Sequence, residues 1–351
     1  MELFVVIMAG GVGSRFWPRS RKAKPKQLLN IFGENSMIRE TFRRISGIVP
    51  PVNVFVITNK LQAKIIGEDL SELPKENIIA EPVGKNTAPC VAVSAKTILN
   101  RSSDSVLVTL PADHLIKKEK EFRELLLTGA KFAFEKKSLV TFGITPTRPE
   151  TGYGYINFEK SDGEKIHKVK KFVEKPNRET AEKYLASGDY LWNSGMFIWR
   201  SDVILEEVKK YLPNTYSLVS KLENEKDSGK ILDEIYPKFE SISVDYGIME
   251  KSDRVYTMEG DIGWSDVGSW ESVYELSDKD KNGNALTGDI FTLNSKNSYI
   301  YSENKFTAAV GIEDLVIINL EDSLLVCKRS EAQNVKKIVD FLSESDREEL
   351  I

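Results

Sequence analysis

Leu3-Phe4-Val5-Val6-Ile7-Met8 is an unbroken apolar run that stops at the glycines of Gly10-Gly11-Val12-Gly13. A short continuous run of this kind predicts a strand buried on both faces. Comparable runs return at residues 52–58, 77–80, 105–110 and 138–144. Between them the apolar spacing becomes helical. Ser36 is an N-cap candidate ahead of Met37, Ile38, Thr41, Phe42 and Ile45, and further helices are predicted at 61–70, 88–99 and about 119–136. Strands alternating with helices imply right-handed crossovers and a doubly wound, mostly parallel, Rossmann-like α/β sheet. Ligands of such sheets sit beyond the carboxyl ends of the strands. The glycine loop, Glu81-Pro82 and Asp113 all fall at such ends.

The texture changes from Thr151. Residues 151–156 and 168–173 read as strands, 177–186 as a helix, 192–199 as a polar-aromatic run and about 203–236 as a helical stretch. Two glycine-bracketed clusters follow, at 243–247 and 262–270. A charged, turn-rich linker near 278–284 predicts a boundary, with one domain over 1–278 and a second over 284–351. Short strands at 290–292, 298–301, 308–310, 315–318 and 323–326 then recur at near-regular spacing, the pattern of a small stacked β unit. In the closing helix, Val335, Ile338, Val339 and Leu342 form one apolar stripe that reads first as core and second as a dimer contact. A homodimer is the expected assembly.

Composition narrows the classes. The 351 residues suffice for a large core, and a formal net charge of −4 gives no basic field for nucleic acid. Cys90 and Cys327 lie far apart and in no metal spacing, as expected of buried thiols in a reducing compartment. No stretch is long enough to span a membrane and no basic leader precedes the first strand, so a cytoplasmic protein is expected.

The first loop carries the most chemistry. Its glycines let backbone N–H groups approach an anion, while Arg15 and Lys26 add a bidentate fork and a point charge, a combination suited to a triphosphate. A dinucleotide fingerprint fails because Phe16 occupies the third glycine's place, and a Walker A loop fails for want of Gly-Lys-Ser/Thr. The plain alternative is a tight strand-to-helix turn.

Gly10-Gly11-Val12-Gly13-Ser14-Arg15-Phe16-Trp17-Pro18-Arg19-Ser20, followed by Pro25-Lys26-Gln27-Leu28, resembles the sugar-1-phosphate nucleotidyltransferases. Within them Phe16-Trp17-Pro18 and Pro25-Lys26-Gln27 are similar to the mannose-1-phosphate guanylyltransferases, also called GDP-mannose pyrophosphorylases. Gly263-Trp264-Ser265-Asp266-Val267-Gly268-Ser269-Trp270 and Trp192-Asn193-Ser194-Gly195 extend the likeness to roughly residues 1–275. The resemblance implies a C-terminal left-handed β-helix, GTP and mannose 1-phosphate as substrates, and Mg²⁺ as the cofactor. Longer members continue into an isomerase domain, so this chain is expected to be monofunctional.

By that resemblance Arg15, Lys26, Asp113 and Asp266 carry the catalysis, and Asp113 and Asp266 hold the metal. Gly10, Gly11, Gly13, Ser14, Glu81, Gly84, Asn86 and Thr87 meet the nucleotide, whereas Gly152, Gly154, Glu174, Asn193 and Asp245 meet the sugar. Several have a plainer reading. Asp113 also suits an Asx turn or N-cap, and Asn86 or Thr87 a helix N-cap. Glu174 also suits a surface ion pair with Lys175 or Lys170, and Asn193 a turn. Trp192, Trp264 and Trp270 read as packing around the site. The rival functions are the same transfer with another sugar or nucleotide, and a silent nucleotide-sugar sensor. A sensor is expected to have lost Arg15, Lys26 or a metal aspartate, and all are present.

Overall fold

The computed structural model describes residues 1–160, 163–223 and 228–351. They form two compact units. The first comprises Met1–Gly10, Thr41–Ala112 and Ile116–Trp264; the second comprises Gly11–Glu40, Asp113–Leu115 and Ser265–Ile351.

The first unit is built on nine strands: β1 Glu2–Ala9, β2 Val54–Asn59, β3 Ile78–Glu81, β4 Ser105–Pro111, β5 Leu139–Ile144, β6 Tyr155–Phe158, β7 Ile166–Val173, β8 Tyr190–Arg200 and β9 Val255–Glu259. They hydrogen-bond in the order β3-β2-β1-β4-β8-β5-β9-β7-β6. The predicted parallel arrangement describes the β3-β2-β1-β4 half, where continuous apolar runs are covered on both faces. Beyond it the sheet is mixed. β8 enters antiparallel to both β4 and β5, and β9 returns parallel to β5. β9 has no counterpart among the predicted strands, although Val255, Tyr256 and Thr257 are strand-forming residue types and Gly260 follows them. Residues 151–154, predicted as strand, form bends instead, and pairing begins at Tyr155.

The helices follow their caps. Asn59 Oδ1 accepts from Gln62 N (2.9 Å) ahead of Lys60–Asp69, and Asn177 Oδ1 accepts from Thr180 N (2.9 Å) ahead of Arg178–Ser187. The long helical expectation after 203 breaks at Leu212-Pro213 into Ser201–Tyr211 and Pro213–Val219, because proline tolerates only a first-turn position. Ser228–Ile235 follows, and residues 224–227 of the expected stretch lie outside the described residues.

Among the described residues the coil of the second unit is made of six strands: β10 Ala285–Thr287, β11 Ile290–Leu293, β12 Tyr299–Ser302, β13 Thr307–Val310, β14 Leu315–Asn319 and β15 Leu324–Lys328. β10, β12 and β14 stack in parallel, as do β11 and β13, and β15 closes antiparallel on β14. One turn of the coil therefore lies on the next: Ile290 against Thr307, Lys296 against Glu313 and Tyr299 against Val316. Its corners repeat at matching positions. Asn294 and Gly311 (φ 52° and 67°), then Asn297 and Asp314 (φ 51° and 55°), take the left-handed conformation that these residue types tolerate best. The closing stripe is core: Val335 and Leu342 are buried, and Ile338 and Val339 pack with Phe16, Trp17, Trp270 and Tyr299.

Candidate functional site

In the second unit the glycine loop folds back onto its own lysine. Gly13 has φ 70° and packs directly over the Lys26 side chain, so a Cβ there has no room and the wrong backbone conformation. Lys26 N donates to Val12 O (3.2 Å), Gln27 Nε2 to Gly11 O (2.9 Å) and Ser20 Oγ to Gly13 O (2.8 Å). Phe16 anchors the loop's far end against Trp270, with ring centroids 5.0 Å apart, and Trp270 Nε1 donates to Trp17 O (3.0 Å).

This places Lys26, only 5% exposed, at the centre of a charged cluster. Its Nζ donates to Asp113 Oδ2 (2.8 Å) and to the backbone carbonyl of Asp266 (2.6 Å). Burial works to raise the Asp113 pKa, but the Lys26 charge and hydrogen bond, with a contribution from His114, hold it below the ordinary carboxylate range. Gly13, Ser14, Arg15, Lys26, Asp113 and Asp266 all line one cavity of about 320 Å³, joined by Phe16, His114, Gly268 and Lys336. Five expected phosphate or metal residues thus share that cavity with Lys26. Sequence reasoning misses His114, Gly268 and Lys336. Gly268 sits against the Asp266 carboxylate, where a Cβ would come within 3.1 Å of Oδ2. Two carboxylates in one open cavity suit Mg²⁺, which takes one or two carboxylates and completes its shell with phosphate oxygens and water. No group of three or more metal-binding side chains occurs among the described residues, as a softer or fully caged ion would require.

Two further clusters belong to the first unit. At the end of β3, Glu81 is 7% exposed, and its Oε1 accepts a hydrogen bond from the Tyr236 hydroxyl. A Cβ on Gly10 would lie 3.2 Å from Glu81 Oε2, so glycine there leaves the carboxylate room. Burial pushes the Glu81 pKa up to about 7 against the smaller opposing pull of the Tyr236 bond. In the acid range the folded protein therefore keeps a proton that the unfolded chain has lost. Stability from this group falls as pH rises from about 4.5 to about 7, and the cost is fully present above that. Glu81→Gln is expected to shrink the stability difference between the two ends of that window by about 1–3 kcal/mol in urea titrations; an unchanged pH slope would count against a buried titrating Glu81.

Asn86, at φ 67°, caps Thr87–Arg101 by accepting from Thr87 N (2.9 Å). Thr87 Oγ1 accepts from Val244 N (2.9 Å), which ties this helix start to the turn carrying Asp245. The capping reading is therefore realised for Asn86, whereas Thr87 is the first helical residue and its hydroxyl serves Val244 instead of the helix. Gly84 faces open space, and Gly152 N donates to Glu150 Oε1 (3.0 Å).

The other cluster gathers around Asn193 on β8. Asn193 Nδ2 donates to Asp245 Oδ1 (2.9 Å), while its Oδ1 accepts from the Thr141 hydroxyl (3.0 Å) and Gly195 N (3.2 Å). Asn193 N donates to Gly154 O (2.8 Å), and a Cβ on Gly154 would meet both the Glu174 carboxylate and Asn193. Glu174 is not a surface residue: its side chain is 9% exposed and ion-paired with Lys175 at 2.7 Å. Burial, then the Glu174 charge, raises the Asp245 pKa to about 7, with Lys175 and Asn193 pulling the other way. Lys175, held at φ 46°, is the member of this cluster that sequence reasoning leaves outside the site. Trp192 packs edge-on to Tyr153, which packs in turn on Trp264; the tryptophans are walls.

A strand-to-glycine loop bearing a buried lysine, two aspartates in its cavity and a coil of stacked strands define a nucleotidyl-transfer protein. Residues 4–283 match the nucleotidyl transferase family, and residues 288–342 match the MannoseP isomerase/GMP-like beta-helix domain. The chain is 44% identical to the mannose-1-phosphate guanylyltransferase of Klebsiella pneumoniae over 99% of its length and 75% of that protein's. It is 43% identical to one from Escherichia coli with the same coverages. The crystal structure of a Thermus thermophilus protein described as a mannose-1-phosphate geranyltransferase superposes with a TM-score of 0.90 at 31% identity, covering 98% of this chain and all of that one. This chain belongs to the mannose-1-phosphate guanylyltransferases of the nucleotidyl transferase family, and it is an enzyme of nucleotidyl transfer. Among the described residues no helix is long and apolar enough to cross a membrane.

Proposed function

We propose that the chain transfers GMP from GTP to mannose 1-phosphate, releasing pyrophosphate, in the cytoplasm. The observation that carries the phosphate chemistry is Lys26, buried and bridging Asp113 and Asp266 in a cavity lined by the glycine loop and Arg15. The sugar phosphate attacks the α-phosphorus in line. With a second pKa of about 6 it is already ionised near neutrality, so no general base is required. What the reaction needs is position and charge neutralisation, which Arg15, Lys26 and the loop N–H groups supply. Asp113 and Asp266 would hold Mg²⁺, which supplies further neutralisation of phosphate charge when bound.

Selectivity falls to the first unit. Glu81, once ionised, would accept through Oε2, the oxygen not bonded to Tyr236, from the N1–H of guanine, a donor that adenine does not offer. Glu174, Asn193 and Asp245 present paired acceptors and donors to vicinal hydroxyls, which penalises an epimer through unpaired polar groups. Phe291, Leu293 and Val310 stand outward on β11 and β13, each about half exposed or more, and support self-association as a homodimer.

Pyrophosphate release from GTP with mannose 1-phosphate and Mg²⁺, beside ATP, UTP, dTTP and glucose 1-phosphate, tests this reading. Release is expected to peak with GTP and mannose 1-phosphate and to vanish without the metal. Tight nucleotide-sugar binding with no release from any pair would establish a sensor instead.

A further inference from the structure

The phosphate cavity contains a cation that the loop motif does not supply. Lys336 is the first residue of the helix Lys336–Glu344 and lines the same cavity as Ser14, Arg15, Lys26, Asp113 and Asp266. Its backbone is pinned there. Ala332 and Val335, 1% and 2% exposed, lie in one apolar cluster with Phe16, Trp17 and Trp270, and the helix packs on the Ser14–Phe16 turn. The Lys336 side chain is exposed and has no ion-pair partner among the described residues.

Lys336 and Lys337 stand side by side where the 3-10 segment Arg329–Val335 runs directly into this helix, and no acidic residue lies in the helix's first turn to neutralise them. An anion in the cavity would give the Lys336 ammonium the opposite charge that the protein itself does not supply. Lys26 cannot be that anion's only partner, since its ammonium already serves Asp113 and the Asp266 carbonyl. Among the described residues, Arg15 and Lys336 are the two cavity cations left uncommitted.

Resting on the nucleotidyl-transfer reading above, we infer that Lys336 binds the β- and γ-phosphates of the incoming triphosphate, the group that leaves as pyrophosphate. In the reaction the sugar-phosphate oxygen bonds to the α-phosphorus as the bond from that phosphorus to the β-bridging oxygen breaks. The electron pair departs with the pyrophosphate, and the Lys336 ammonium meets the charge that grows there. The C-terminal helix thereby contributes a group to the chemistry.

The test uses the full chain and both directions of reaction. Lys336→Gln is expected to raise KM for GTP, and for pyrophosphate in the reverse direction, about tenfold or more. KM for mannose 1-phosphate and GDP-mannose should stay within about twofold, the thermal midpoint should hold, and Lys336→Arg should recover most of the loss. Unchanged constants overturn the inference. So does a rise confined to the two sugar compounds, or a uniform rise of all four with a lowered midpoint, which would mark a structural role. Calorimetric binding of inorganic pyrophosphate to wild type and Lys336→Gln separates the two levels of argument. A wild type that catalyses nothing sinks the transfer reading, whereas equal pyrophosphate affinity in both proteins sinks the role of Lys336 alone.

Discussion

Lys26→Ala is expected to lower kcat/KM for pyrophosphate release by about 10³-fold while leaving a folded protein. Two effects coincide. The variant loses a preorganised cation from the cavity, and Asp113 loses the charge that holds its carboxyl ionised against burial. Asp113→Asn is expected to cost a similar factor. Because the two side chains act as one unit, the double variant should lose no more than about tenfold beyond the worse single. Lys26→Arg is no rescue, since a bulky planar guanidinium does not fit where a compact ammonium, 5% exposed, donates to both the Asp113 carboxylate and the Asp266 carbonyl. Steady-state rates on the variants beside wild type decide the matter. A loss under about tenfold in Lys26→Ala, or full additivity in the double variant, would reject the pairing.

Asn193→Ala is expected to cost about 100-fold in kcat/KM for mannose 1-phosphate, with KM for GTP unchanged within about threefold. Asn193 is 8% exposed and serves Thr141, Gly195 and Asp245 at once; truncation strands Gly195 N and the Asp245 carboxylate, while the Thr141 hydroxyl keeps Met196 O as its acceptor. A stability loss of about 1–3 kcal/mol should accompany it. Removing the amide donor also pushes the Asp245 pKa above its already raised value, so the pH at which sugar affinity changes should move upward. The preference for mannose 1-phosphate over glucose 1-phosphate should fall at least about tenfold, since the lost donor and the freed carboxylate no longer penalise the wrong epimer. Parallel titrations of the two sugar phosphates measure this, and an unchanged preference would remove Asn193 from selection.

The parts of the fold that announce themselves in the sequence are those whose pattern is local. β1, β2 and β4 read directly because each is a continuous apolar run buried on both faces, and Ser36 marks its helix by capping, its hydroxyl accepting from Arg39 N. β9 is missed although Val255, Tyr256 and Thr257 are strand formers, because it is only five residues long and its pairing with β5 depends on a partner far away along the chain. Residues 151–154 read as strand because aromatics alternate with glycines there. Gly154 instead serves to bring Glu174 and Asn193 close, a tertiary demand that overrides pattern. The same division runs through the site. Gly13, Arg15 and Lys26 sit in one short segment with recognisable spacing, so their company in one cavity is legible. Lys336 lies on an unremarkable helix, and nothing near it in sequence shows which loop it faces. Lys175 reads as a surface partner because sequence does not show that the carboxylate it meets is buried.

The indole of Trp17 donates to the carbonyl of Leu350 at 2.8 Å, across 333 positions of sequence, and the loop it steadies packs on residues from Ser265 onward. On a ribosome adding roughly 5–20 residues per second, Trp17 is joined to the chain about 17–67 seconds before Leu350. The sheet of the first unit acquires its strands in that interval, whereas the glycine loop waits for partners not yet translated. A nascent chain therefore carries a formed scaffold and an unfinished phosphate pocket, and competence to bind nucleotide comes late in its synthesis.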